Sequence, residues 1–140
     1  MQQKEIKEHM MNTLSDKPGI TLLKSGSFKL NDLSQLLEVE GLKSQMAEVA
    51  VTNNSEALSI GHFTMQPGVE FEYFYDSVEY KVIIKGKIVV RDLQGNKYIA
   101  EVGDVIIFSA DVAVIFDAES DGEAIYTAHR KAATEFAPQV

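Results

Sequence analysis

The sequence contains no cysteine, which excludes disulfides, thiolate nucleophiles and Cys-ligated zinc. Histidine is scarce: His9 and His129 lie near the two ends, leaving His62 as the one histidine inside the chain. Basic residues are outnumbered, 13 against 21 acidic ones, for a net charge of −8 with no basic cluster. That balance argues against nucleic-acid binding and against docking on anionic membrane surfaces. No apolar run approaches the roughly 20 residues that span a bilayer. The start of the sequence, Met1 to His9, lacks the apolar stretch of a secretory signal, so a cytoplasmic location is expected.

What is present reads as one globular domain. A length of 140 residues suits a single core, and 45% apolar against 24% charged residues is ordinary for a folded protein. Ile6, Met10 and Leu14 at four-residue spacing predict a helix over 4–14, stopped by Pro18-Gly19. Residues 1–19 are therefore expected to form a short helical segment, and 20–140 a single β-domain. Ile20 to Leu23 reads as a strand. Asn31 is placed to cap a short helix containing Leu33, Leu36 and Leu37, and 38–45 reads as loop. From residue 47 the pattern changes to short strands, with turn signals every 8–12 residues. These strands are Ala47–Val51, Leu58–Met65, Phe71–Tyr75, Glu79–Ile84, Lys87–Asp92, Lys97–Ala100, Asp104–Phe108, Val112–Phe116 and Ala124–Ala128. Turns are expected at 53–55, Gly86, 94–96 and 120–122. Such a succession predicts an all-β sandwich or barrel.

Three features carry a resemblance within 60–128: Pro67-Gly68, Glu79 with six residues between it and Gly86, and Gly103-Asp104. Their rhythm resembles the cupin superfamily, which implies a jelly-roll β-barrel. Cupins usually hold a metal with two histidines and a glutamate on this motif and a further histidine on the next. Here the glutamate position is Glu79. The two histidine positions fall at Glu72 and Phe74, or at Tyr73 and Tyr75, and the last falls at Val114. No histidine survives, so no histidine-held metal is expected. Within the cupins the chain resembles the EutQ group of ethanolamine-utilisation proteins, which also lacks those histidines. The matching segments are Phe71-Glu72-Tyr73, Tyr75-Asp76-Ser77, Val102 to Ser109 and Ile125 to His129, with a weaker match at Ser27 to Leu30 as the first strand. This resemblance implies a role in bacterial ethanolamine breakdown, in or near a microcompartment. It also implies acetate kinase activity, with Mg2+ and ATP as the cofactors that such activity would need.

Alternation along a strand puts Lys81 and Ile83 on the same face as Glu79, and Val78, Tyr80, Val82 and Ile84 on the other. On the preceding strand alternation allows either Glu70, Glu72 and Phe74, or Val69, Phe71, Tyr73 and Tyr75, to face inward. One arrangement joins Glu72 and Glu79 in the barrel mouth with Lys81 beside them, a carboxylate pair with split pKa values suited to acid–base work. The plainer arrangement is an internal Glu79–Lys81 ion pair with Glu72 solvated. Glu72, Glu79 and Lys81 are thus the candidate catalytic residues, and Glu70, Tyr73, Tyr75 and Tyr126 the candidate pocket lining. His62 is expected to be a hydrogen-bonded structural residue, and Asp104 a turn residue. No Gly-x-x-x-x-Gly-Lys-Ser/Thr loop is present, so phosphoryl transfer rests on the resemblance alone. A homodimer is expected through the apolar face 78–84. The contrasting reading is a non-catalytic cupin that binds a small metabolite or an assembly partner.

Overall fold

The computed structural model describes residues 13–16, 19–52 and 57–132. Nine strands follow in order: β1 Asn31–Asp32, β2 Ser44–Thr52, β3 Leu58–Met65, β4 Phe71–Tyr75, β5 Glu79–Arg91, β6 Lys97–Glu101, β7 Val105–Phe108, β8 Val112–Phe116 and β9 Asp121–Ala128. One helical turn, α1 (Leu33–Leu36), and a 3-10 turn, Leu14–Asp16, complete the elements among these residues. All strand pairs are antiparallel.

Topology centres on β5. Its first half lies between β9 and β7, and its second half between β6 and β8. One long strand therefore belongs to two sheets. The first runs β1-β2-β3-β9-β5-β7 and the second β6-β5-β8-β4. Alternating side chains from both sheets meet in a common core that includes Phe63, Met65, Phe71, Ile83, Ile88, Phe108, Phe116 and Tyr126. Burial of the aromatic members dominates its energetics. The rings of Phe71 and Phe116 stack at 4.9 Å, and those of Tyr75 and Phe108 at 4.3 Å. The all-β expectation holds.

Several local expectations do not. Lys85-Gly86-Lys87 is not a hairpin turn: β5 runs through it from Glu79 to Arg91. Gly86 is paired with Gly122 of β9, next to a register shift between Ile83 and Lys85. Its φ is 60°, and an added Cβ would overlap the carbonyl oxygen of Asp121. The glycine signal is real, but it marks a bend where two backbones approach closely rather than a chain reversal. Ser120 to Gly122 likewise does not all form a turn, because β9 already starts at Asp121.

Residues 20–23 form no strand, and Ile20 and Leu22 are exposed, so no partner sheet edge fixes them. Ser27 to Leu30 also lacks a strand; there the Phe28 ring meets His62 edge-on. The N-cap of α1 is Asp32 rather than Asn31. Its carboxylate accepts the Ser34 amide at 2.9 Å, while Asn31 pairs with Met46 in the β1–β2 ladder. β2 starts at Ser44, inside the stretch read as loop, because Ser44 and Gln45 pair with Met65 and Thr64. The expected helix over 4–14 and turn over 53–55 lie outside the described residues, apart from Thr13 and from Leu14 in the 3-10 turn.

Gly86→Ala is expected to lower stability by more than about 2 kcal/mol, since it combines a left-handed φ with a backbone overlap. Gly95→Ala is expected to cost only about 1 kcal/mol, because Gly95 has a positive φ but open space around it. Urea unfolding of the two variants checks this; equal losses would contradict the close-approach account.

Candidate functional site

The inner end of β5 delivers two charges into the core. Glu79 and Lys81 alternate inward with Ile83, and all three are buried. Lys81 Nζ donates to Glu79 Oε2 at 2.7 Å. The other carboxylate oxygen of Glu79 accepts from Arg130 Nη1 at 2.7 Å. Arg130 lies just beyond β9, and its Nη2 donates at 2.6 Å to Oε1 of Glu48, a fully buried residue of β2. Tyr126 of β9 also donates to Glu48 Oε1, at 2.8 Å, and Tyr75 of β4 donates to Glu79 Oε2 at 3.2 Å. Four charged side chains from three separated regions thus meet with their formal charges balanced. Burying such groups is costly unless each is paired and hydrogen-bonded, as they are here.

Local backbone features make room for this cluster. An added Cβ at Gly61 of β3 would overlap the Tyr126 ring, so the missing side chain there seats Tyr126 against Glu48. The Lys81 ammonium sits 4.3 Å from the Tyr126 ring centroid and 4.5 Å from that of Phe63. Aromatic faces stabilise a cation in this position.

The environment shifts the titrations. Burial alone would raise Glu79, but the charges of Lys81 and Arg130 outweigh it and hold the carboxyl below its ordinary 4.5. Burial lowers Lys81 below 10.5; its attraction to Glu79 offsets only part of this, and repulsion from the Arg130 charge adds to the lowering. Arg130 moves the other way: Glu79 and Glu48 overcome its burial and raise it. Burial first, then neighbouring carboxylates, raises Tyr75, Tyr126 and Tyr73, so these phenols stay protonated donors at neutral pH.

Above the cluster lies a cavity of about 110 Å3. Glu48, Glu79, Lys81, Arg130 and the three tyrosines form its polar wall; Phe63, Phe71 and Phe116 form its apolar wall. Leu33, Leu37 and Met46 close it from the side of α1 and β2. Tyr73 is half-buried and its hydroxyl makes no hydrogen bond among the described residues.

Of the candidate residues, Glu79, Lys81, Tyr73, Tyr75 and Tyr126 come together in this cavity. Glu72 and Glu70 do not. β4 turns Phe71, Tyr73 and Tyr75 inward, so Glu72 is exposed on the opposite face and cannot share a site with Glu79. Glu70 precedes β4 and pairs with Arg91 at the surface. The plainer arrangement, an internal Glu79–Lys81 pair with Glu72 solvated, is the observed one. His62 is hydrogen-bonded to Glu123 at 2.8 Å, and Asp104 closes a turn by accepting the Glu101 amide. Glu48 and Arg130 escaped the sequence reading. Glu48 left one signal, a lone charge inside the apolar run Met46 to Val51, whereas Arg130 left none.

A cupin metal does not fit these residues. The two histidine positions are Tyr73 and Tyr75, protonated phenols, and the third is the buried Val114. Glu79 is engaged by two cations that would repel a divalent ion.

Comparison with known proteins settles the family. The family model for ethanolamine utilisation protein EutQ matches residues 1–133. The chain belongs to the EutQ family. Among solved structures, the Clostridium difficile EutQ protein superposes with a TM-score of 0.69 at 19% identity, covering 84% of this chain and 85% of that one. A putative ethanolamine utilization protein Q from Salmonella typhimurium LT2 gives 0.63 at 19% identity, covering 81% and 88%. An RmlC-like cupin from Shewanella frigidimarina NCIMB 400 gives 0.57 at 15% identity, covering 84% and 95%. At these identities the likenesses show the shared cupin fold. No curated protein sequence matches the chain.

Glu79→Gln leaves Lys81 and half of Arg130 buried without a counter-charge and is expected to cost roughly 3–5 kcal/mol. Glu72→Gln is expected to stay within about 0.5 kcal/mol. Because Glu79 titrates lower folded than unfolded, its contribution is complete above pH 4.5 and is lost as pH falls through its folded value. Chemical unfolding of wild type and Glu79→Gln across that range checks the sign. The variant's acid limb should be shallower; an unchanged slope would contradict the assignment.

Proposed function

We propose that this EutQ-family cupin serves ethanolamine utilisation by binding a small polar metabolite in the Glu79 cavity without a resident metal. The carrying observation is that one small cavity joins a paired charge cluster, a partly exposed Arg130 and a Tyr73 hydroxyl with no hydrogen bond among the described residues. An apolar core of the same volume would be equally stable or more so, which makes this polar lining a feature of recognition. A volume of about 110 Å3 suits a ligand of a few heavy atoms. NMR titration with ethanolamine and with acetate tests the reading. At least one should produce saturable shifts at Tyr73 and Arg130 in the wild type, and the Tyr73 shift should vanish in Arg130→Met. Unmoved resonances with both would overturn it.

Acetate kinase activity is the second reading. One observation favours it: two cations border a cavity of about the size of acetate. The nucleotide would have to lie outside that volume. Among the described residues no group of three His, Asp or Glu side chains is arranged for a metal, so Mg2+ would arrive on the ATP phosphates. Acetyl phosphate formed from ATP, acetate and Mg2+ by wild type, and lost in Arg130→Met, would establish it. Absence of product from the wild type would leave ligand binding alone.

The partner proposed is a second copy of the chain. Tyr80 and Ile84 are exposed on the outer face of β5 and Val78 just before it, and Ile107 and Val105 of β7 pair with Tyr80 and Val82. A contiguous apolar face of this kind is a typical dimer surface. Sedimentation should give a dimer for wild type and a monomer for Ile107→Glu; a monomeric wild type would contradict it. A place in or beside a bacterial microcompartment belongs to the same proposal and rests on family membership.

A further inference from the structure

The geometry points to Lys81 as a carbonyl-capturing amine: a small aldehyde entering the cavity condenses with Lys81 Nζ to form a protonated imine. The inference rests on the reading that this cavity takes a small metabolite, and it names the ligand's chemical class. Three features of the site carry it. First, Lys81 is a buried lysine that lines a cavity instead of bridging two surfaces. Second, a carboxylate oxygen of Glu79 lies 2.7 Å from its nitrogen, close enough to move a proton without bulk water. Third, the aromatic faces of Phe63 and Tyr126 flank the nitrogen, which favours a cation there and excludes competing water.

The step balances within the site. Glu79 takes a proton from the ammonium. The neutral nitrogen attacks the carbonyl carbon, and the C=O π electrons move to oxygen, which takes up the second nitrogen proton to give a carbinolamine. Glu79 returns its proton to that hydroxyl, the C–O bond breaks, and water leaves. An ammonium and an aldehyde have become an iminium and water, with no net change in charge or protons. This conservation matters in a buried cluster. The iminium places the same positive charge beside Glu79 and between the same rings, so Glu79, Glu48 and Arg130 remain balanced. A neutral adduct would strand a buried carboxylate, at the large penalty that accompanies an unpaired charge. The depressed titration of Lys81 adds reactivity, since desolvation and a neighbouring cation are the usual ways of activating a lysine towards carbonyls. The groups that face its nitrogen are Glu79 on β5, Glu48 on β2, Tyr75 on β4, Tyr126 on β9 and Arg130.

Propanal with sodium cyanoborohydride tests the inference on the full wild-type chain, followed by peptide mapping of N-propyl lysine. Exposed Lys85 serves as the internal reference. Near pH 8, Lys81 should be alkylated faster than Lys85, because Glu79 stands beside its nitrogen to take the proton and the cavity holds the aldehyde against it. Lys81→Arg should lose that adduct while keeping the cation. Adducts on Lys85 and other exposed lysines, with Lys81 unmodified, would overturn the inference. If propanal still shifts the Tyr73 and Arg130 resonances in that event, imine formation alone falls and metabolite binding stands. If it shifts neither, the cavity does not admit aldehydes; binding in general is then judged by ethanolamine and acetate.

Discussion

A carboxylate placed where Glu79 sits, among Phe63, Phe116 and Tyr126, would be protonated or expelled unless a cation met it on each side. Lys81 supplies one cation from the same strand face, and Arg130 supplies the other from beyond β9. Arg130 then has a second fork to satisfy, and Glu48 of β2 receives it. The arrangement links β2, β5 and the segment after β9 across the barrel interior. It also explains the otherwise odd burial of a carboxylate in the apolar strand β2. A guanidinium suits this bridging role because its planar donors can engage two carboxylates at once, which a lysine's point charge does less well.

This constraint also accounts for the site's departure from other cupins. A metal-binding cupin balances its glutamate with a divalent ion held by imidazoles. Here the balance comes from two side-chain cations, and phenols occupy the vacated imidazole positions. Tyr75 has become a donor to Glu79, and Tyr73 turns into the cavity a hydroxyl that has no hydrogen bond among the described residues. The chemistry left to such a site is that of ammonium, guanidinium, carboxylate and phenol: hydrogen-bonding recognition, proton movement and amine reactivity.

Much of this was legible in the sequence, for identifiable reasons. The two-residue period of a strand is robust, so Glu79, Lys81 and Ile83 facing inward and Val78, Tyr80 and Ile84 facing outward followed directly from their spacing. For β4 the same period offered two answers, and only packing chose Tyr73 and Tyr75 over Glu72. Gly86 reads as a hairpin turn in the sequence, whereas in the structure its positive φ serves a bend within β5. Lys-Gly-Lys resembles a hairpin turn locally, while the partner that explains it, Gly122, is distant along the chain. Arg130 could not be found by any local pattern, because its two partners come from β2 and β5. Short elements held by tertiary pairing, such as the start of β2 at Ser44, were invisible for the same reason.

The central claim is that Arg130 and Glu79 interact as a buried, mutually dependent pair. A double-mutant cycle with Glu79→Gln, Arg130→Met and the combined variant, followed by urea unfolding, measures that dependence directly. The account predicts a favourable coupling energy of at least about 1 kcal/mol, with the double variant far less destabilised than the sum of the single ones. Additive losses, with coupling near zero, would show that the two charges do not depend on each other and would contradict the account.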